Sequence, residues 1–454
     1  MQNSAVINIG KKDVIWNYLA TFLQIGSGIL LFPFILRMLP SESVGVWSIF
    51  MSIASFVNLL DFGFSPSFTR NITYIFSGVD KLERTGISKE NTNAQINIEL
   101  LGKTIRAMKW FYSRISLVAF TLLISAGSFY LFSVINQSFK GDRLQVEVAW
   151  GMFCIVNTYN IYTLYYDSLM LGFGMVMKNK QLIIISQIAY LCVSVTLIYC
   201  GLGLISIVVG QAIAVGIRRV ISFRYFYTQS LRNELKQVNT DDFKQIITII
   251  TPNSIKVGLT SIGAFMVLQS SIIVGSLYIS LTQLASYGIT VQVTNVIASL
   301  ATVYYSSFTP QVTHLRVENN IVAIKNIYIK CIFLLVLTII VCGVILITSG
   351  DWALELLKSK THLLGSSMII LILLITLLEK NHAIAGGFIL SKNEVPFFKA
   401  AIISGIATVI LLFILINTFN MGIWGMILAP GIVQISYQNW KWPYVLIKEL
   451  NSKT

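Results

Sequence analysis

The sequence predicts an all-α integral membrane protein, with twelve transmembrane helices in two pseudo-symmetric six-helix bundles around a central cleft. Three observations predict it. The composition is too apolar for a soluble chain, basic residues are distributed unevenly between alternate loops, and two short motifs recur in corresponding places of the two halves. Of 454 residues, 55% are hydrophobic and 11% charged, and the mean hydropathy is +0.74. A soluble domain carries about a quarter charged residues. A helix crosses the hydrocarbon with roughly 20 apolar residues, and blocks of that length recur along nearly the whole chain. Little is left for a soluble domain.

Apolar blocks between polar breaks place the spans at 13–36, 44–68, 108–135, 147–172, 181–200, 203–226, 245–276, 283–310, 327–349, 363–391, 397–417 and 422–440. The first follows Lys11 and Lys12 as a signal peptide would, but its apolar run is too long and no A-x-A-like cleavage site follows, so it is read as span 1. Basic loops stay cytoplasmic. With the N-terminus inside, the inner segments hold 26 of the 33 Lys and Arg residues and the outer segments hold five: Arg37, Lys140, Arg143, Lys358 and Lys360. Both termini are therefore expected in the cytoplasm. The same asymmetry accounts for the net charge of +14, which reads as a topology signal and not as nucleic-acid binding.

Ser65-Pro66-Ser67-Phe68-Thr69-Arg70 at the inner end of span 2 matches Thr309-Pro310-Gln311-Val312-Thr313-His314 at the inner end of span 8. Gly172 followed by Lys178-Asn179 after span 4 matches Gly386 followed by Lys392-Asn393 after span 10. An extra length of loop between spans 2 and 3 reconciles the two offsets. The expected organisation is an N-terminal bundle (1–227), a cytoplasmic linker (228–244) and a C-terminal bundle (245–454), a parallel duplication with a cleft between the halves and alternating access by their rocking.

An ionisable group within the hydrocarbon costs about 2.5 to 3.5 kcal/mol, so each is expected to face a cavity or a partner. Lys256 lies about 17 Å from the inner end of span 7, one turn after Pro252, which bends the helix; together they read as an anion site and a hinge. In span 10, Glu379 and His382 are i,i+3 neighbours, placed to share a proton or to pair with Lys256. Asp167 sits near the inner end of span 4, as either a functional or a solvated carboxylate. Arg218, Arg219 and Arg224 among aromatic residues read mainly as head-group anchors, with one of them and Arg114 at the cleft mouth, where guanidinium suits phosphate. Asp61, without a counterpart in span 8, reads as either a partner of Arg70 or a coupling site. The five cysteines stand singly in apolar blocks with no metal-ligand spacing, and the three histidines are scattered. No nucleotide loop, zinc-protease motif or nucleophile elbow appears. The chain reads as a transporter without a cofactor, not an enzyme.

With these residues in view, the chain resembles Wzx-type polysaccharide flippases of the multidrug/oligosaccharidyl-lipid/polysaccharide exporter superfamily. The resemblance rests on L-P-x-x-x-V-G-x-W at Leu39 to Trp47, D-F-G-F at Asp61 to Phe64, Arg70 and G-x5-K-N-K from Gly172. It implies a V-shaped two-bundle transporter in the bacterial inner membrane that flips an undecaprenyl-pyrophosphate-linked oligosaccharide to the periplasmic leaflet for O-antigen or capsule assembly. It further implies membrane lipid, a polysaccharide polymerase and chain-length proteins as partners. No ATP site appears in the sequence, so transport is expected to use the cargo gradient, the membrane potential or a gradient of a coupling ion, H+ or Na+. Arg70, Lys256, Arg114, Arg218 and His314 would then contact pyrophosphate or sugar, and Asp61, Asp167, Glu379, His382 and Pro252 would serve coupling or gating. Two rivals stand beside it: a cation-coupled multidrug exporter of the same superfamily, and a polytopic polymerase or ligase, against which the short outer loops speak.

Overall fold

A computed structural model describes residues 9–38, 59–86, 96–138, 141–275, 277–279, 281–356 and 362–452, with Ser43, Val46, Trp47, Phe50 and Ile53. Its ordered elements are helices, and they follow the predicted spans. Span 1 is helix Lys11–Met38. Span 3 runs as Ile98–Leu122, a π-helical turn Leu123–Gly127 and Ser128–Ser138. Span 4 is broken into Arg143–Tyr162 and Tyr165–Gly172, and spans 5 and 6 are Val176–Tyr199 and Leu204–Phe226. Span 7 is Phe243–Gly275, and span 8 is broken into Leu281–Ala301 and Val303–Val317. Spans 9 to 12 are Ile321–Leu356, Ser366–Leu390, Phe398–Phe413 with a π-helical turn Ile414–Thr418, and Ile423–Ser436. Most of span 2 and of the Leu39 to Trp47 motif lies outside the described residues.

Among the described residues, seven helices are long and apolar enough to cross a membrane. Their outward faces are apolar: Phe129 is 80% exposed and Phe333 64%, a pattern that water would penalise and a lipid solvent rewards. The chain is a multi-pass, all-α membrane protein.

The chain divides into two compact units, one comprising Met1–Glu83 and Ser88–Thr251, the other Arg84–Ile87 and Pro252–Thr454. The division falls inside helix Phe243–Gly275, at Pro252, whereas the sequence places it in the 228–244 linker. That linker contributes helix Gln229–Gln237, capped by the Thr228 hydroxyl on the Leu231 N–H, and it is part of the first unit. In the second unit, the Asn253 side chain donates to the carbonyls of Arg84 and Asn393, at 2.7 and 2.8 Å. These bonds fix the short 84–86 stretch on that unit.

Each unit has its own core. In the first, Phe50, Trp150 and Phe153 pack with ring centroids 5.0 to 5.7 Å apart. The Trp150 indole N–H donates to Ser128 Oγ, at 2.8 Å, beside the π-helical turn. Gly127 in that turn leaves room for the indole, since a Cβ there would stand 3.0 Å from it. In the second unit, Arg316 is buried and bonds Glu449 at 2.8 Å, Ser391 at 3.2 Å and the Phe388 carbonyl at 3.4 Å. That network ties the C-terminal ends of spans 8 and 10 to the C-terminal helix Gln438–Ser452.

The structure explains D-F-G-F locally. Phe62 and Gly63 both have positive φ, 46° and 76°, which ends the short 3-10 helix Leu59–Asp61 and restarts the chain as helix Phe64–Phe76. Gly63 suits that conformation because it has no Cβ. The Asp61 carboxylate accepts the Ser65 backbone N–H at 3.1 and 3.2 Å, satisfying an otherwise unpaired donor and placing negative charge at a helix N-terminus. Pro66 falls in the first turn, where a missing N–H costs nothing. Gly63→Ala is accordingly expected to cost about 1 kcal/mol through left-handed strain, read as a lowered Tm of the detergent-solubilised protein; an unchanged Tm would contradict this reading of the turn.

The two motif matches do not share a structural register. Pro66 stands in the first turn of its helix, but Pro310 lies midway along Val303–Val317. Lys178 and Asn179 are in helix Val176–Tyr199, while Lys392 and Asn393 form the turn after Ser366–Leu390. A closer correspondence comes from shape: Gly174 and Asn393, both at positive φ, turn the chain after spans 4 and 10.

Candidate functional site

The first unit gathers its charges around Asp167. This residue lies just after the break in span 4, where Thr163 bonds back to the Tyr159 carbonyl at 2.8 Å. Asp167 Oδ1 accepts from Arg218 at 2.9 Å and from Asn179 at 3.1 Å, and its Oδ2 accepts from Arg219 at 2.9 Å. Arg219 donates further to Asn160 Oδ1 at 3.0 Å. Two guanidinium groups thus share one carboxylate, so the cluster carries an excess positive charge. Arg218 also faces a cavity of about 260 Å³, lined in addition by Trp47, Asn160, Ser186, Gln187, Tyr190 and Gln211. Arg218 Nε and Gln211 Oε1 are buried and make no hydrogen bond among the described residues. Chemically, the cavity offers amides, two aromatic rings and a cation to an organic solute.

The second unit places its acid between two cavities. Glu379 and Gln434 line both a small one of about 70 Å³, reaching Thr294, Asn295 and Thr376, and a larger one of about 300 Å³, reaching Tyr305, His382 and Gln438. Glu379 is paired with its neighbour Lys380 at 2.9 Å. His382 Nδ1 and Asn439 Oδ1 stand 2.8 Å apart. Lys256 is not their partner: its ammonium lies 5.8 Å from the centre of the Phe398 ring, a cation–π contact in place of an ion pair. Glu379 has a nearer cation in Lys380, which is why the expected pairing with Lys256 does not form.

The other predicted residues are dispersed. Asp61 bonds to Tyr112, at 2.7 Å, and to Ser65 rather than to Arg70. Arg70 is buried in helix Phe64–Phe76. Arg114 is exposed over the Trp110 ring, 5.6 Å from its centre, and joins neither cavity. His314 is buried, with Glu318 3.2 Å from its Nε2. Pro252 stands where the two units divide. Among the described residues, no group of three or more His, Cys, Asp or Glu is placed to hold a metal ion.

Sequence reading missed the amides. Asn160, Gln187, Gln211, Gln434 and Asn439 each interrupt an apolar span, yet a search restricted to ionisable groups passes over them. Arg219, read as a head-group anchor, is only 3% exposed. The signal available in the sequence was the charge count: adjacent arginines in span 6, Arg218 and Arg219, have a single acid to meet in the C-terminal half of span 4, Asp167.

No protein-family model matches the chain, and no curated protein matches it. Solved structures do. One is an outward-facing multidrug resistance MATE family transporter of the MOP superfamily, with TM-score 0.73 and 10% identity over 100% of this chain and 99% of that one. A second is a MOP superfamily transporter from Pyrococcus furiosus, described as having a binding pocket of reversed polarity that suggests a different function, with TM-score 0.73 and 10% identity over 99% and 97% of the two chains. A third is a point mutant of the MATE transporter VcmN from Vibrio cholerae, with TM-score 0.71 and 13% identity over 97% and 96%. These full-length likenesses correct the resemblance to Wzx-type flippases. The fold is shared with multidrug transporters. Of the motifs that carried the flippase reading, most of Leu39 to Trp47 lies outside the described residues, D-F-G-F starts a helix, Arg70 is buried within that helix, and Gly172 ends the helix after the break in span 4. The lipid-linked oligosaccharide, O-antigen, capsule and polymerase expectations fall with it. The chain has, from end to end, the fold of MATE-family transporters of the MOP superfamily.

Proposed function

We propose that this protein is a cation-coupled exporter of small organic molecules, working by alternating access in the bacterial cytoplasmic membrane with both termini in the cytoplasm. The observation that carries the reading is Glu379, an acid in the middle of a membrane helix that lines two cavities of the second unit and is paired with the adjacent Lys380. An intramembrane carboxylate is costly to insert and is kept where it moves charge. The solved transporters of this fold that are described as multidrug resistance proteins support export as the direction of work. A proton is favoured over sodium as the coupling ion. The Lys380 ammonium already occupies the carboxylate, so a metal cation gains little there, whereas protonation removes the charge and releases Lys380.

The cavity around Arg218 is the proposed cargo site. Its amides and its Trp47 and Tyr190 rings accept varied organic surfaces, and the excess positive charge of the Asp167 cluster favours cargo with an acidic group. The test is transport into proteoliposomes of purified protein, with fluorescein as an organic anion and ethidium as an organic cation, driven by an imposed pH gradient or by an imposed sodium gradient. The expected result is fluorescein accumulation under the pH gradient, faster than ethidium. Movement of neither dye under either gradient would overturn the exporter reading; movement under the sodium gradient alone would overturn proton coupling.

A further inference from the structure

We propose that the first unit carries a binding site for the head group of an anionic phospholipid, formed where span 3 meets the linker helix Gln229–Gln237. A cavity of about 370 Å³ opens there, lined by Arg106, Lys109, Arg232 and Lys236. Four cations around one concavity repel one another unless something negative sits among them. Among the described residues, one carboxylate pairs with them: Asp241 bonds Arg106 at 3.1 Å. Lys109, Arg232 and Lys236 make no ion pair among the described residues. Two of them rest on aromatic rings, Lys109 5.6 Å from the centre of Tyr227 and Arg232 4.5 Å from that of Phe223. Stacking holds a cation in place while leaving its hydrogen-bond donors available for phosphate oxygens.

The surroundings favour a lipid over a soluble phosphate. Trp110 follows cavity-lining Lys109 in the chain and Tyr225 precedes cavity-lining Tyr227 by two residues; they are 37% and 38% exposed, as aromatic residues are at the head-group level. Along the same helix, Leu117 and Ile124 follow Lys109 at spacings that keep them on one side, and they are 57% and 47% exposed. Leu117 lies about 12 Å from Lys109 along the helix axis. A phosphate held by Lys109 and Arg232 would thus have its acyl chain laid over an apolar track already open to the bilayer. Basic pockets between membrane helices recognise anionic head groups by this same combination.

The test measures the Tm of the full-length protein in a neutral detergent with added phosphatidylglycerol, phosphatidylcholine or glycerol phosphate. Phosphatidylglycerol is expected to raise Tm by several degrees, phosphatidylcholine and glycerol phosphate to leave it unchanged, and Lys109→Gln/Arg232→Gln to lose most of the shift. The wild-type shift is also expected to shrink between about 50 mM and about 1 M salt, as charge screening requires; that arm stands even if the double variant does not fold. An equal shift with phosphatidylcholine, a salt-independent shift, or a variant that keeps the full shift would overturn the site. A shift with glycerol phosphate as large as with phosphatidylglycerol would overturn the lipid as its occupant.

Discussion

Asp167→Ala is expected to destabilise the first unit by about 3 to 5 kcal/mol, the range for removing one partner of a buried ion pair. The carboxylate is the common acceptor of Arg218, Arg219 and Asn179, so its loss leaves a buried and a half-buried guanidinium group side by side without that counter-charge. The arginines themselves are expected to rank unequally. Arg219→Ala costs more than Arg218→Ala, because the Arg219 side chain is 2% exposed and also holds Asn160, whereas Arg218 is 23% exposed and opens on a cavity. Denaturant unfolding of the three variants in detergent checks both the size and the order. A loss below about 1 kcal/mol for Asp167→Ala, the range of exposed pairs, would show that water reaches the cluster and that the carboxylate is not its keystone.

Unfolding is only half of what separates the three variants. Arg218→Ala is the one that touches the proposed cargo cavity, so fluorescein transport is expected to fall more than stability does. In Arg219→Ala the two should fall together. A structural role for the whole cluster predicts parallel losses throughout, which makes the contrast between adjacent residues informative.

The spans were legible because a 3.6-residue helix that must cross roughly 30 Å of hydrocarbon leaves a long apolar block in any order of residues. The breaks inside spans 4 and 8 were not, since Thr163 and Thr302 are no less compatible with a helix than their neighbours; tertiary packing decides them. Asp167 and Arg218 were visible as intramembrane charges, but their union depends on how spans 4 and 6 meet, which no spacing within one helix encodes. Lys256 shows the same limit. Its depth could be counted from the sequence, yet the choice between Glu379 and the face of Phe398 is made by side-chain reach. The motif S-P-x-x-T-R looked like half of a duplication, and it is a helix start with different surroundings from T-P-x-x-T-H. Short polar motifs near helix ends recur because capping chemistry recurs, which weakens them as markers of repeated architecture.

Glu379→Gln is expected to lower pH-driven transport at least about tenfold, the factor that corresponds to about 1.4 kcal/mol, and to flatten the response to pH. The substitution keeps the shape and hydrogen-bonding capacity of the side chain but removes the site at which a proton and Lys380 compete. Two consequences distinguish this from a general weakening. Binding of fluorescein to the solubilised protein, a property of the first unit's cavity, should persist, because none of the residues lining that cavity is altered. His382→Gln, which retains a polar partner for Asn439 but no titrating group, should shift the pH response less than Glu379→Gln does, since His382 lines only one of the two cavities whereas Glu379 lines both. If Glu379→Gln transports with unchanged rate and pH dependence, the Glu379–Lys380 pair is an inert, half-buried ion pair of the second unit. Coupling would then have to be sought at Asp61, an acid bonded to a neutral Tyr112 hydroxyl, since Asp167 is already held by two arginines.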